Sequence, residues 1–144
     1  MNDLELLHSL NHAQGCYKRL HHRLVENDPV LSKKDVFGYG RILHLLIKGG
    51  DMQQKELAEK MDVRPQSLTS AMNRLEKNGY IERKRDQSDH RIQIVHVTED
   101  GKEIGQMLHN IRRKAAQQYF ACLDDNEKEE LNHLLQKVEE ANHD

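Results

Sequence analysis

The spacing of apolar residues predicts a mainly helical chain. In most of the sequence, apolar side chains recur every three or four positions, which is the period of an amphipathic helix. A first helix is predicted over about residues 3–26, and a second begins after Ser32 and ends at Gly49 and Gly50. Gly38 and Gly40 would lie inside this second helix. Its core-facing positions would be Val36, Tyr39, Leu43, Leu46 and Ile47.

Two short helices with a tight connection come next. Residues 53–61 form the first, residues 62–64 connect them, and residues 65–78 form the second. Pro65 suits a first helical turn because its missing N–H would be unpaired there anyway. Gly79 follows as a residue that ends the helix. The second helix would bury Leu68, Met72 and Leu75 and leave polar side chains on its other faces.

A β-hairpin is predicted after these helices. Residues 80–83 form the first predicted strand and residues 91–97, which are rich in β-branched residues, form the second, with a polar tip over residues 84–90 between them. The chain then returns to the helical period, so the fold class is mainly α with a small β-hairpin.

Two long helices end the predicted order of elements. Thr98 caps the first of them, and its apolar stripe runs from Ile104 to Cys122. The last helix begins at Asp124 or Asp125 and ends near residue 141, with Leu131, Leu134, Leu135 and Val138 facing inward. The first helix of the chain carries a similar narrow seam, typical of a helix that packs along another helix: Leu6, Leu10, Ala13, Tyr17, Leu20 and Leu24.

Composition narrows the functional classes. A length of 144 residues favours one domain, and the chain lacks both an apolar run of membrane-spanning length and the basic and apolar regions of a signal peptide. Two cysteines cannot form a disulfide scaffold, so we predict a cytoplasmic protein. The common hydrolase, nucleotide-binding and zinc-protease motifs are missing from the sequence, so we predict no enzyme, no cofactor and no metal.

The charge is distributed unevenly along the chain. The net charge is −2, but residues 64–91 contain seven basic and four acidic residues, whereas residues 124–144 contain eight acidic residues and two lysines. A locally positive surface can bind phosphate even when the whole chain is slightly acidic.

Paired short helices followed by a hairpin indicate a winged helix-turn-helix. In that arrangement the second helix enters a major groove and the hairpin contacts phosphates or a minor groove. Asp89 precedes Arg91 by two residues and could hold its guanidinium. The predicted DNA-contacting residues of the second helix are Arg64, Gln66, Ser67, Thr69, Ser70, Asn73 and Arg74. Those of the hairpin are Arg83, Lys84, Arg85, Asp89 and Arg91.

The segment over residues 53–103 resembles the core of the MarR family of bacterial transcriptional regulators. The family hairpin carries Asp-x-Arg, then a strand ending in Leu-Thr and a nearby Gly; here these are Asp89-His90-Arg91, Val97-Thr98 and Gly101, with Val in place of Leu. The run from Leu75 to Ile81 fits the junction between helix and hairpin.

The resemblance implies a homodimeric repressor of a pseudo-palindromic DNA site. Residues 1–31 and 99–144 would form the dimerisation helices, and residues 35–98 the DNA-binding lobe, with the helix-turn-helix over residues 53–79 and the wing over residues 80–97. A small-molecule effector, of unknown identity, would bind between the two regions and change the spacing of the lobes.

Three alternatives remain open at the level of sequence. The winged helix could bind protein instead of DNA. Cys16 lies in the first helix, where the peroxide-sensing branch of the family keeps a reactive cysteine, although the residues around it differ from that branch. His8 and His12 have the i, i+4 spacing that can chelate one metal ion.

Overall fold

A computed structural model describes residues 1–36 and 38–143, so the predicted domain end at residue 144 lies outside the described residues. Its elements confirm a mainly helical winged helix-turn-helix with a small antiparallel sheet. The elements are α1 (Asp3–Asn27), a 3-10 helix (Leu31–Lys33), α2 (Gly40–Gly49), β1 (Met52–Gln53), α3 (Gln54–Met61), α4 (Pro65–Lys77), β2 (Ile81–Arg85), β3 (Gln93–Val97), α5 (Glu99–Tyr119) and α6 (Asp125–Asn142).

The start predicted for α2 was wrong. The helix begins at Gly40 and not after Ser32, and Gly38 precedes it with a φ of 83°, in the left-handed region that helices exclude. Val36 and Tyr39 are nevertheless buried as predicted, because a tight turn in which the Tyr39 N–H donates to the Val36 carbonyl directs both side chains inward. Ile47 is 37% exposed, so that predicted core position was also wrong.

The sheet contains a strand that the sequence pattern did not predict. β1 has only two residues, too few to show alternation, and it pairs antiparallel with β3 through Met52 opposite Val95. The strand order is β1-β3-β2. The hairpin itself pairs Ile81 with Val97 and Arg85 with Gln93, so its polar tip comprises residues 86–92.

The chain divides into two compact units. One comprises residues 22–112, and its core is built from α2, α3, α4, the sheet and the first part of α5. Its most deeply buried large side chains include Leu31, Leu43, Leu46, Leu57, Met72, Leu75, Ile81, Val95 and Leu108. This core fixes α4 beside the hairpin, which is the arrangement that positions the candidate site.

The other unit comprises residues 1–21 and 113–144. Tyr17 and Tyr119 meet edge to face with ring centroids 5.5 Å apart, and the Tyr119 hydroxyl donates to the Ala13 carbonyl. The predicted inward face of α6 is not buried within one chain, since Leu134, Leu135 and Val138 are between 45% and 62% exposed. Leu4, Leu6, Leu7 and Leu10 of α1 are similarly exposed.

Cys122 lies outside a helix. α5 ends at Tyr119, so the predicted apolar stripe does not reach Cys122, and its side chain is exposed and not in a core. Among the described residues, no helix combines the length and the apolarity needed to cross a membrane.

Candidate nucleic-acid interface

Hydrogen bonds hold the connection between α3 and α4. Asp62 adopts a left-handed conformation with a φ of 56°, and the Val63 N–H donates to the Ala58 carbonyl. The Gln54 amide of α3 donates to the carbonyl of Pro65 at 3.0 Å, which ties the start of α3 to the start of α4. The helix-turn-helix is therefore braced at both ends of its connection.

The exposed face of α4 carries the polar residues predicted from the sequence. Leu68, Met72 and Leu75 are buried as predicted. Gln66, Ser70 and Asn73 are spaced i, i+4 and i+7, so they share the face opposite the core, and all three are exposed. Arg64, Ser67 and Thr69 are exposed as well.

Arg74 is engaged by an acidic residue that sequence reasoning missed. Its guanidinium donates to both carboxylate oxygens of Asp35, at distances of 2.9–3.2 Å, and lies 5.7 Å from the ring centroid of Tyr39. Asp35 is 39 positions away in the chain, so local spacing offered no signal for the pair. The contact fastens one flank of α4 to the segment before α2.

Arg83 fastens the opposite flank of α4 to the wing. From β2, its Nε and Nη2 donate to the two carboxylate oxygens of Glu76 at 3.1 and 3.0 Å, and Nη2 also donates to Oδ1 of Asn73 at 2.7 Å. These hydrogen bonds lower the pKa of Glu76 and raise that of Arg83. The Arg83 side chain is only 18% exposed. Glu76 was missed, although its i+3 spacing from Asn73 was a usable signal.

The tip of the wing is organised by its acidic residues. Asp89 accepts from Nε and Nη2 of Arg91 at 3.0 Å each, as the sequence spacing predicted, and also from the Arg91 backbone N–H. These bonds lower the pKa of Asp89. The side chain of Arg91 remains 90% exposed, so the pair presents a guanidinium in a held orientation.

The remaining cations of the predicted interface are less constrained. Lys84 lies 3.7 Å from Glu82, with both side chains largely exposed. In the described part of the chain, Arg64 and Arg85 form no ion pair. The hydrogen bonds of Arg83 thus join β2 of the wing to α4, and both Arg74 and Arg83 contact side chains of the same chain.

The alternative sensing residues lie on α1. Cys16 is half-buried, and Nη2 of Arg19 lies 3.2 Å from its sulfur. His8 and His12 are exposed and share one face of the helix with Ser9 and Ala13. Within residues 1–36 and 38–143, there is no group of three or more metal-ligating side chains.

A second histidine pair was missed by the sequence analysis. His44 of α2 and His109 of α5 stack in parallel, with ring centroids 4.4 Å apart and an interplanar angle of 5°. Burial lowers the pKa of His44, and the positive charges of His109, Arg112 and Lys48 lower it further. Nδ1 of His109 is buried and has no hydrogen-bond partner among the described residues.

Comparison with known proteins agrees with this geometry. The MarR family model matches residues 40–93, which span α2 through the wing tip. An uncharacterised HTH-type transcriptional regulator, YwhA of Bacillus subtilis, is 26% identical over 90% of this chain and 91% of its own length. Residues 40–93 thus match the MarR family, and the similar curated proteins are HTH-type transcriptional regulators.

Solved structures share the same fold. A mutant MarR from E. coli complexed with operator DNA is 23% identical, with a TM-score of 0.81 over 93% of both chains. BpsR of Bordetella bronchiseptica, whose DNA binding is regulated by 6-hydroxynicotinic acid, is 17% identical, with a TM-score of 0.80 over 93% of this chain and 98% of its own. The MarR fold therefore extends beyond the segment that the family model matches.

Proposed function

We propose that this chain is a homodimeric repressor of the MarR family, that it binds a pseudo-palindromic DNA site and that it is released by a small molecule. The observation that carries the proposal is the exposed polar face of α4, which Arg83 joins to a wing that holds the exposed guanidinium of Arg91. Double-stranded DNA presents base edges to a helix and phosphates to a cation. The face of α4 offers polar side chains for the base edges, and the wing offers a cation for the phosphates.

Each part of the surface has a separate task in the proposal. Gln66, Ser70 and Asn73 are short polar side chains able to reach base edges in a major groove, where hydrogen-bond patterns differ between base pairs. Arg91, Arg85 and Lys84 would neutralise phosphates, or enter a narrow minor groove, and so supply affinity that depends on salt.

A second copy of the chain is the proposed partner. The apolar residues left exposed on α1 and α6 are Leu4, Leu6, Leu7, Leu10, Leu134, Leu135 and Val138. Burial of these side chains against a second chain would remove apolar surface from water. Two-fold symmetry would then place two copies of α4 about one helical turn of DNA apart, each in its own half-site.

Release by a small molecule is proposed by analogy with BpsR. An effector that binds the DNA-free form more tightly than the DNA-bound form must weaken DNA binding by the same factor, since the coupling is reciprocal.

The test is a titration of the purified protein against duplex DNA from immediately upstream of its own coding sequence. We expect a dimer by light scattering, and binding that weakens steeply as the salt concentration rises, since several phosphates are neutralised. A scrambled duplex of equal composition is the control and should bind more weakly. Equal binding to both duplexes, or no binding by a folded dimer, would contradict the proposal and favour the protein-interaction alternative.

A further inference from the structure

The amide of Asn73 is oriented by a residue outside the recognition helix. Nη2 of Arg83 lies 2.7 Å from Oδ1 of Asn73, and the same guanidinium is held by both carboxylate oxygens of Glu76. Asn73 and Glu76 are one helical turn apart on α4, so the arginine bridges them from β2.

The chemistry of the pair fixes which end of the amide faces Arg83. A guanidinium has only N–H donors and no acceptor, so the amide must present its oxygen to it and not its nitrogen. The NH2 group of Asn73 is therefore turned away from Arg83. Because Asn73 is exposed on the face opposite the core, that NH2 group is the part of the amide left to meet a ligand.

Arg83 is well placed to keep the amide in this orientation. Its side chain is mostly buried between α4 and β2, and it makes two charge-assisted hydrogen bonds to Glu76. Turning the amide over would direct the NH2 group of Asn73 against a cation that cannot accept a hydrogen bond.

We infer that Asn73 reads guanine in the major groove, as a donor oriented by Arg83, and does not bind adenine in bidentate fashion. An asparagine that binds adenine must turn its oxygen toward N6 and its nitrogen toward N7 of the same base, but here the oxygen is turned toward Arg83. Guanine presents two neighbouring acceptors, O6 and N7, to that NH2 group, whereas adenine presents N7 beside an N6 donor that the NH2 group cannot satisfy. Arg83 is thus a positioning residue. This inference rests on the proposed function.

The test is selection of binding sites from a randomised duplex DNA library with the full-length protein. We expect an enriched motif that contains a G·C pair whose identity is lost in Asn73→Ala, with about fivefold or greater discrimination against A·T at that pair in the wild type. The matched control is Asn78→Ala, at the C-terminal end of α4, which should leave the motif unchanged.

Variants at Arg83 separate positioning from a merely structural role. Arg83→Lys keeps a donor toward the Asn73 oxygen and should retain the G·C pair. Arg83→Met leaves the amide free to turn, so the Asn73-dependent pair should change toward A·T. Circular dichroism would establish that both variants are folded.

The outcomes distinguish this inference from the proposed function. An A·T pair at the Asn73-dependent position in the wild type, or a motif that Asn73→Ala leaves intact, would overturn the inference while leaving the DNA-binding function in place. So would an Arg83→Met protein that binds more weakly but keeps the G·C pair. If the folded wild-type protein enriches no motif, the proposed function fails and the inference fails with it.

Discussion

At the scale of single residues, the structure contains positions where one atom decides whether the chain can pack. Gly101 lies in the first turn of α5, against the end of α4 and the wing. A Cβ at this position would stand 2.0 Å from the carbonyl oxygen of Tyr80 and 2.8 Å from Cγ2 of Val97. The nearest obstacle is backbone, which cannot rotate away as a side chain can.

Gly101→Ala should therefore lower the free energy of unfolding by about 1–3 kcal/mol or more, the usual cost of an overpacked site. Urea unfolding followed by circular dichroism would measure it. Gly15→Ala is the matched control: its Cβ would stand 3.4 Å from the end of the flexible Arg19 side chain, so it should be neutral or mildly stabilising within α1. Equal stability of the two variants would contradict the packing argument.

The stacked histidines give folding a predicted pH dependence. The pKa of His44 lies below 6.5, its ordinary value, because the site is partly buried and all the charged groups that act on it are cationic: His109, Arg112 and Lys48. Well above pH 6.5, His44 is neutral in both the folded and the unfolded chain. As the pH falls below 6.5, the unfolded chain takes up a proton that folded His44 resists, so stability is lost.

His44→Gln should make stability less dependent on pH between pH 7 and pH 5, because it removes this difference in proton uptake. The measurement is the urea midpoint across that range. His8→Gln, at an exposed position on α1, is the control and should keep the wild-type dependence. Unchanged pH dependence in His44→Gln would show that this imidazole is not the group responsible.

At the scale of elements, local spacing predicted the α-helices and, most clearly, the inward face of α4. Buried positions of α4 and the ends of α3 and α4 agree with the prediction to within about one residue, because their apolar period and their glycine and proline signals are local. The predicted start of α2 was wrong because Val36 and Tyr39 continue the apolar period through a turn that is not helical. β1 was not predicted because its two residues form a strand only through their pairing with β3.

The wing is the element with the clearest functional prediction. Arg91→Ala should weaken binding to every DNA sequence and reduce the salt slope by about one, because one phosphate contact is lost. Titration of upstream duplex DNA at several salt concentrations would measure both effects. Arg113→Ala, at an exposed position on α5 outside the wing, is the control. An unchanged slope in Arg91→Ala would mean that the wing does not contact phosphate.

At the scale of the whole molecule, the exposed apolar faces of α1 and α6 lead us to predict assembly with a second chain. Leu135 is 45% exposed on α6, beside Leu134 and Val138. If this face packs against a second chain, Leu135→Asp would place a charge in an apolar interface and should shift the light-scattering mass from dimer toward monomer. Val63→Asp, at a 41% exposed position in the helix-turn-helix connection, is the control and should remain dimeric. A Leu135→Asp protein that keeps the wild-type mass would remove α6 from the interface.

The candidate site was only partly predictable. The sequence indicated which side chains of α4 are exposed, and the Asp89–Arg91 pair, because both depend on neighbours within a few residues. It did not indicate that Arg74 is bound to Asp35, or that Arg83 holds Glu76 and Asn73. Those contacts alter which predicted residues present free donors to a DNA ligand.

By itself, the sequence determined the order of the α-helices and the hairpin, the buried face of α4 and the winged helix-turn-helix class, since helical period, caps and turn residues act over a few positions. Only the tertiary structure decided the start of α2, the third strand, the His44–His109 stack and the partners of Arg74 and Arg83. Each of these depends on segments brought together by the core. A local pattern carries no information about which distant side chain will contact a given residue.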